Sequence, residues 1–574
     1  MKLTDCLVKI LKKNKIRHTF GLQGGAVVHI FDSLEKNNIG VTYTHHEQSA
    51  ALAAVAYAKS TNHIGCAIVT TGPATTNAMT GLLAAWQDSV PCIFISGQSR
   101  SQHTSYGKKV RQVGTQEVNI CDIVKPITKY SVFIRKKENF IYEFEKAVSI
   151  ANSGRKGPVW IDIPLEFQWS DIPYKESKQK IKRNKYDLKL KSFNNMIQNS
   201  RKPLLVLGFG IRSLENIKQL KLFIEKNKIP FVTTWNACDL LPTNHPLNLG
   251  IIGMSGQRGA NKSIFNSDLL ICLGTHLSIP HTTTLYETYA KSAKKIIVNI
   301  DKNKLSNLNL KFDLKILADL NLLLKSLLKK KINFINKWDK LSDFKNMNWY
   351  DPSKNKNINS NFAIREITKK IKNKCVIVDG GGTALYAGFQ SSFINPGDRV
   401  ICSSAISSMG TGLAESIGVS KSKKFKKMIC IIGDGSFLMN VQDLQTIKQD
   451  NINVVIFLIN NNGYLAIRHT QKEFLKGKYY GTHPDWKLKM PNFKRIVNSF
   501  GIDYLLIQRK RDLIINQKKI INKKRPLVCE LKIDQNQDSL FKQGYKENID
   551  GTFTPQDLSE MYPFFKKFLS NTNN

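Results

Sequence analysis

The chain has 574 residues, 41% of them hydrophobic, with 86 Lys and Arg against 44 Asp and Glu for a formal net charge of +42. That length exceeds what one hydrophobic core serves and points to three domains, while no apolar run approaches the roughly 20 residues that cross a bilayer. The basic residues are mostly Lys, spread along the chain among abundant Asn and Ile with no RRM, zinc-finger or basic-helix motif, so neither nucleic acid nor a membrane is expected as a partner.

At the N-terminus, Leu3, Leu7, Ile10 and Leu11 mark one face of an amphipathic helix. The segment lacks the apolar region and cleavage site of a signal peptide. From there to about residue 168, strand-like runs (65–70, 90–96, 159–163) alternate with Ala-rich helices. Glu47 opens the helix in TYTHHEQSAALAAVAYAKS, whose alanines let another backbone pack closely. A first-turn glutamate also complements the helix macrodipole without any chemistry. A polar, lysine-rich linker spans about 170–191. The alternation resumes over 192–330 with PLLVLGFGIR, PFVTTWNA, SDLLICLG and KIIVNIDKNKL, and a second polar stretch covers 331–358. The ten cysteines show no CxxC spacing and read as buried thiols of a cytoplasmic protein.

The last segment, 359–574, carries the most informative stretch, residues 428–464. An apolar run at 428–432 ends in Gly433-Asp434-Gly435, and Leu438, Val441, Leu444 and Ile447 then predict a helix. A second apolar run at 454–459 ends in Asn460-Asn461-Asn462. This β-α-β pattern suits a parallel sheet covered on both faces, whose ligands sit at the carboxyl ends of the strands. Asp434 and Asn461 each lie just past a strand end and can converge. A carboxylate, an amide oxygen and the Gly463 carbonyl form a hard, oxygen-only partial shell that suits Mg²⁺ with two phosphate oxygens and a water. The glycines beside Asp434 allow backbone N–H groups at a helix start to approach a diphosphate.

The Gly-Asp-Gly…Asn-Asn arrangement resembles the signature of thiamine diphosphate (ThDP) enzymes. With FGLQGGAVVHIFDSL, VTTGPATTNAMTGLLAAWQDSVPCIFISGQ, GPVWIDIP, TTWNACDLLP, GQRGAN and ISSMGTGLAESIG, nearly the whole chain resembles the acetolactate synthase family. The resemblance implies an α/β protein of three doubly wound parallel-sheet domains: pyrimidine-binding (1–168), central and Rossmann-like (192–330), and diphosphate-binding (359–574). Glu47 would activate N1′ of the cofactor's aminopyrimidine by holding and sharing a proton there. Met409 would impose the bent cofactor conformation, and Gln116 and Lys129 would line the substrate channel. Gly24, Gly25, Pro73, Asn77, Gly380, Gly381, Gly433, Gly435, Ser436, Asn460 and Tyr464 would contact the cofactor. Asp434, Asn461 and Gly463 would hold Mg²⁺. A homodimer or homotetramer with shared sites follows from the same resemblance.

The implied reaction is decarboxylation of a 2-oxo acid, with pyruvate the expected donor, and transfer of the hydroxyethyl unit to a second carbonyl compound. NNNGYLAIRHTQ looks like the branch that makes unusual sugars or surface polysaccharides, so a keto-sugar nucleotide stands beside pyruvate as acceptor. Simple decarboxylation is a further alternative, and a non-catalytic relative is disfavoured by the intact Glu47, Asp434 and Asn461. Arg468, just after the metal loop, is expected to offer its fork to a carboxylate or phosphate of the substrate or acceptor. Departures from the family pattern are Ala74 in Gly72-Pro73-Ala74, His45 in place of an Arg, and Gly274-Thr275-His276 with Pro280 where arginines are common. The last two weaken the case for FAD in the central domain, and its presence stays open.

Overall fold

A computed structural model of the chain describes residues 1–176, 186–213, 217–329, 331–353 and 357–564. Most of the first expected linker (177–185) and the chain end (565–574) lie outside the described residues.

Three six-stranded sheets form, with every pairing parallel. The first comprises β1 (His18–Gly21), β2 (Gly40–Tyr43), β3 (Gly65–Val69), β4 (Cys92–Gln98), β5 (Tyr130–Phe133) and β6 (Val159–Pro164), in the order β2-β1-β3-β4-β6-β5. The second comprises β7 (Pro203–Leu207), β8 (Phe231–Thr233), β9 (Asn248–Ile251), β10 (Leu269–Leu273), β11 (Lys294–Asn299) and β12 (Leu314–Leu317), ordered β12-β11-β10-β7-β8-β9. The third comprises β13 (Lys374–Val378), β14 (Arg399–Ile401), β15 (Lys427–Gly433), β16 (Val454–Asn460), β17 (Asp503–Ile507) and β18 (Leu527–Lys532), ordered β14-β13-β15-β16-β18-β17. The central strands are apolar without alternation and buried along their length, as helices on both faces require. The first and third sheets share one strand order. The second has the doubly wound dinucleotide-fold order, in keeping with the three doubly wound domains and Rossmann-like centre expected from the resemblance.

The first and third domains meet along a seam of small residues. The helix Glu47–Thr61 is buried on nearly every side, as a helix apolar all round must be. It packs on the helix Thr411–Ser420, where a Cβ on Gly418 would lie 2.1 Å from the Ala53 carbonyl oxygen. Buried charges close the three-domain junction. Lys59 pairs with Asp88 at 2.7 Å and donates to the Cys402 carbonyl at 2.8 Å, while Arg399 donates to the Lys59 carbonyl at 2.7 Å. Arg212 and Arg399 both pair with Asp239. All ten cysteines are free and buried. Among the described residues no helix is long and apolar enough to cross a membrane.

One expected element differs. The helix foreseen over Leu438, Val441, Leu444 and Ile447 is two short helices, Asp434–Met439 and Asp443–Gln449. Buried Asn440 leaves helical geometry between them because its amide donates to the Gly410 carbonyl at 2.7 Å and to Gln48 Oε1 at 3.0 Å.

Candidate cofactor-binding active site

Sites in open parallel sheets lie beyond the strand carboxyl ends, and the candidate residues fall there in both the first and third domains. Gly24 and Gly25 follow β1, Glu47 follows β2, and Gly72 and Pro73 follow β3. In the third domain Gly380 and Gly381 follow β13, Met409 follows β14, Gly433-Asp434-Gly435 ends β15, and Asn461 and Gly463 follow β16.

In the third domain the metal set is assembled. Asp434 is buried; its Oδ1 accepts from the Gly435 amide at 2.8 Å, and its Oδ2 accepts from the Asn461 and Gly463 amides at 3.1 and 3.0 Å. Burial pushes its carboxyl up to about 6 against the lowering effect of those amides. Asn461 is buried beside it, and Gly463 takes a φ of 135°, with the Thr482 carbonyl 2.2 Å from where a Cβ would stand. Only glycine suits that position. The set holds one carboxylate with amide and main-chain oxygens, and among the described residues no cluster of three His, Cys, Asp or Glu offers an alternative metal centre. These hard oxygens suit Mg²⁺.

The diphosphate side is built from close approaches. A Cβ on Gly435 would meet the Tyr464 ring at 2.1 Å, and one on Gly381 would meet Met409 Cγ at 2.2 Å. Around Gly433 the same position is open space. Ser436 is buried and its hydroxyl reaches Asp379. Asp379 also accepts from the amides of Gly412 at 3.0 Å and Gly381 at 3.3 Å, which pins the Gly380–Gly381 turn against the Met409 loop. Burial raises this carboxyl to about 6. The sequence reading missed Asp379, although VIVDGG repeats the strand-then-Asp-Gly pattern of IIGDG. Asn460 does not face this cradle with its side chain: it donates to Glu530 at 2.8 Å and accepts from the Asn462 amide at 2.9 Å.

In the first domain, Glu47 is buried and accepts from Asn77 Nδ2 at 3.0 Å. Gly72 has a φ of 68°, and a Cβ there would sit 2.3 Å from the Gln116 carbonyl oxygen, so the turn bearing Pro73 leans on the Gln116 loop. Gln116 itself is exposed at a φ of 58° and accepts from Thr71 Oγ1 at 3.2 Å. Gly24 packs on Thr70, while Gly25, Pro73 and Asn77 are exposed. Among the described residues no hydrogen bond or ion pair joins Glu47 or Asn77 to Asp434, Asn461 or Gly463. Beside them, Asn440 donates to Gln48 Oε1 across the two domains at 3.0 Å.

Two expectations are corrected. The Lys129 ammonium is committed to its own domain rather than offered as a free cation: it donates to the Ile150 carbonyl and to the Ser153 carbonyl at 2.6 Å, closing the end of the helix Phe140–Asn152, and burial lowers it to about 8. Arg468 presents no free fork. It is buried, and its guanidinium donates to the carbonyls of Asn461 (2.8 Å), Asn462 (3.2 Å), Thr482 (3.0 Å) and Gln535 (3.0 Å), so it clamps the metal loop from behind. In the central domain Arg212 is committed to Asp239, and burial holds His276 at about 4, so neither supplies a cation to a flavin diphosphate.

Three family descriptions match in succession: the thiamine pyrophosphate enzyme N-terminal TPP-binding domain over residues 1–123, the central domain over 190–327, and the C-terminal TPP-binding domain over 380–531. The chain is 32% identical to the acetolactate synthase large subunit of Cyanidium caldarium, covering 91% of this chain and 92% of the relative. It is 30% identical to the acetolactate synthase large subunit of Buchnera aphidicola subsp. Schizaphis graminum, covering 89% and 90%. The acetolactate synthase isozyme 2 large subunit of Escherichia coli is 28% identical, covering 92% and 95%.

Proposed function

The chain belongs to the acetolactate synthase-like family of thiamine diphosphate-dependent enzymes, and on that premise we propose that it decarboxylates pyruvate and joins the two-carbon unit to a second carbonyl compound, giving 2-acetolactate when that compound is pyruvate. One observation carries the reading: a buried carboxylate, Asp434, is pinned by the amides of Gly435, Asn461 and Gly463 between adjacent strand ends, while a buried glutamate occupies the matching end of the first sheet.

Bound ThDP supplies the carbon nucleophile and the electron sink for decarboxylation. Glu47, oriented by Asn77, holds and returns a proton at N1′ of the pyrimidine. Asp434, Asn461 and the Gly463 carbonyl would hold Mg²⁺, which would compensate the diphosphate charge. Gly380, Gly381 and Gly435 let Ser408, Met409 and the Tyr464 ring pack closely on the strand ends, Gly433 leaves open space beside them, and Met409, against Gly381, would shape the cofactor's bend. Tyr464 and buried Leu465 exclude water from the reacting carbon. The central domain's committed Arg212 and neutral His276 leave flavin outside the proposed reaction.

The site is shared between two copies of the chain. Among the described residues no hydrogen bond or ion pair joins Glu47 to Asp434 within one chain, and the first domain's Gly25, Pro73, Asn77 and Gln116 stand exposed, as do its apolar Trp86, Val110 and Val113. A second copy supplying its third domain covers that face.

The test is incubation of pure protein with pyruvate, ThDP and Mg²⁺, with products identified by mass spectrometry in the presence and absence of a keto-sugar nucleotide. Carbon dioxide with 2-acetolactate is the expected result. Acetaldehyde alone, or a branched sugar formed in preference to acetolactate, overturns the assignment of pyruvate as acceptor. No carbon dioxide from pyruvate overturns the donor.

A further inference from the structure

A cavity of about 280 Å³ lies between the central and third domains, away from the cofactor residues. Its walls come from the β8–β9 region, the segment 345–349, the helix Ser360–Lys370 and the end of the helix Gly382–Ser391. Among the described residues two cations face it, Arg365 and Lys345, and no Asp or Glu lines it. Its size suits a metabolite somewhat smaller than a drug-sized ligand.

Arg365 is the unusual member. Its guanidinium lies between the Trp349 and Phe393 rings, 4.9 Å from each centroid, and it has no hydrogen bond or ion pair among the described residues. The adjacent Glu366 turns instead to Lys370 at 3.8 Å. Burial lowers Arg365 to about 10, the mark of a cation short of water. Aromatic faces stabilise a cation without using its N–H groups, so all five donors stay available. Among the described residues Lys345 donates once, to the His245 carbonyl at 3.0 Å, which leaves two N–H bonds for a ligand. The Ser392 hydroxyl, also on the cavity wall, is buried with no partner among the described residues. Behind these groups Ile251, Ile394 and Val400 form an apolar floor.

We propose that this cavity is a second ligand site, distinct from the catalytic one, which takes a small organic anion: a carboxylate or phosphate head on Arg365, Lys345 and Ser392, with a short apolar body against the floor. The head gains a fixed planar fork and a mobile ammonium in a pocket without competing carboxylates. The ligand bridges two domains already joined across the cavity by the Thr243 amide donating to the Ile394 carbonyl and the Ile394 amide donating to Thr243 Oγ1, both at 3.0 Å. One wall, at Gly388, Phe389 and Ser392, is the far end of the helix that begins at Gly382, next to the Gly381–Met409 contact. Occupancy therefore bears on the cofactor cradle through a single rigid element.

The experiment is calorimetric titration of the full-length chain, held in ThDP and Mg²⁺ to fill the diphosphate cradle, with acetate, propionate, butyrate and inorganic phosphate. One saturable site per chain is expected. Affinity should rise about three- to fourfold with each methylene from acetate to butyrate as the body meets the floor, and should fall at least tenfold in Arg365→Gln and several-fold in Lys345→Gln. Phosphate binding that equals or exceeds butyrate and is lost in Arg365→Gln assigns the head as a phosphate ester and supports the site. Lys345→Gln removes an exposed-end cation and keeps the test intact should Arg365→Gln not fold. Absence of saturable binding by all four probes, or equal affinities in wild type and both variants, overturns the proposal and leaves Arg365 as an aromatic-stacked structural cation.

Discussion

Replacing Arg468 by Met keeps most of the side-chain volume and removes every donor from the clamp behind the metal loop. The Thr482 carbonyl retains the Tyr464 amide at 3.1 Å, but the carbonyls of Asn461, Asn462 and Gln535 lose the guanidinium. Hydrogen bonds from a charged donor contribute about 1.5–3 kcal/mol each, and water that enters the vacated space recovers part of that, leaving about 1 kcal/mol per carbonyl. The loss of about 3 kcal/mol falls on the short loop that carries Asn461 and Gly463. Because ordering that loop is part of binding, ThDP affinity at fixed Mg²⁺ should drop about 100- to 200-fold. Arg468→Lys keeps the charge but cannot reach both sides of the loop, so about a tenfold drop is expected. Calorimetric titration with ThDP reads the effect directly, and urea denaturation of the apo-protein separates loop loosening from global unfolding. An affinity within threefold of wild type in Arg468→Met, together with a raised acceptor KM, would show that the arginine works on substrate and that the clamp is incidental.

Glu47→Gln should bind ThDP within a few-fold of wild type yet slow exchange of the thiazolium C2 proton by about 10²–10⁴, followed by NMR; wild-type exchange would remove Glu47 from its assigned role. Lys59→Met leaves Asp88 in the domain junction with, among the described residues, the Asn236 amide and the Ala405 N–H as donors, so urea denaturation should register a loss of about 3–5 kcal/mol, and a loss under 1 kcal/mol contradicts the reading of this pair. Burial raises the fully buried Asp162 to about 7 despite donors from Ser96, Gln98 and Tyr106. A carboxyl that ionises later in the folded state than in the unfolded one makes stability fall as pH rises from about 4 to 7. Asp162→Asn should flatten that decline by about 3–4 kcal/mol, and identical pH slopes for the two proteins would refute it.

The elements most legible in the sequence were those whose order is local. Apolar runs that end in Gly-Asp-Gly and Asn-Asn announced β15 and β16, and parallel pairing then placed Asp434 beside Asn461 because adjacent strands end level, Gly433 opposite Ile459. Pairings between distant segments left no such trace. Nothing in the spacing of Arg468 says that its partners include the Gln535 carbonyl, and a surface or substrate role fitted the local sequence equally well. The split helix at Asn440 has the same origin. An apolar stripe records which face is buried, whereas the break depends on an amide drawn to Gln48, in another domain. The strand order within the three sheets left no local trace either: hydrophobic periodicity reports strands and helices but not the order in which strands sit side by side.

The seam between the helices Glu47–Thr61 and Thr411–Ser420 has a consequence during synthesis. Lys59 and its Cys402 acceptor are 343 residues apart. At about 5–20 residues per second, the alanine-rich helix leaves the ribosome roughly 15–70 seconds before its cover exists. During that interval the first domain exposes a smooth apolar flank and an unfinished charge junction, which is the surface on which nascent chains adhere to one another. Fragments that end before Thr411 should therefore collect in the insoluble fraction, while chains extended past the seam recover solubility.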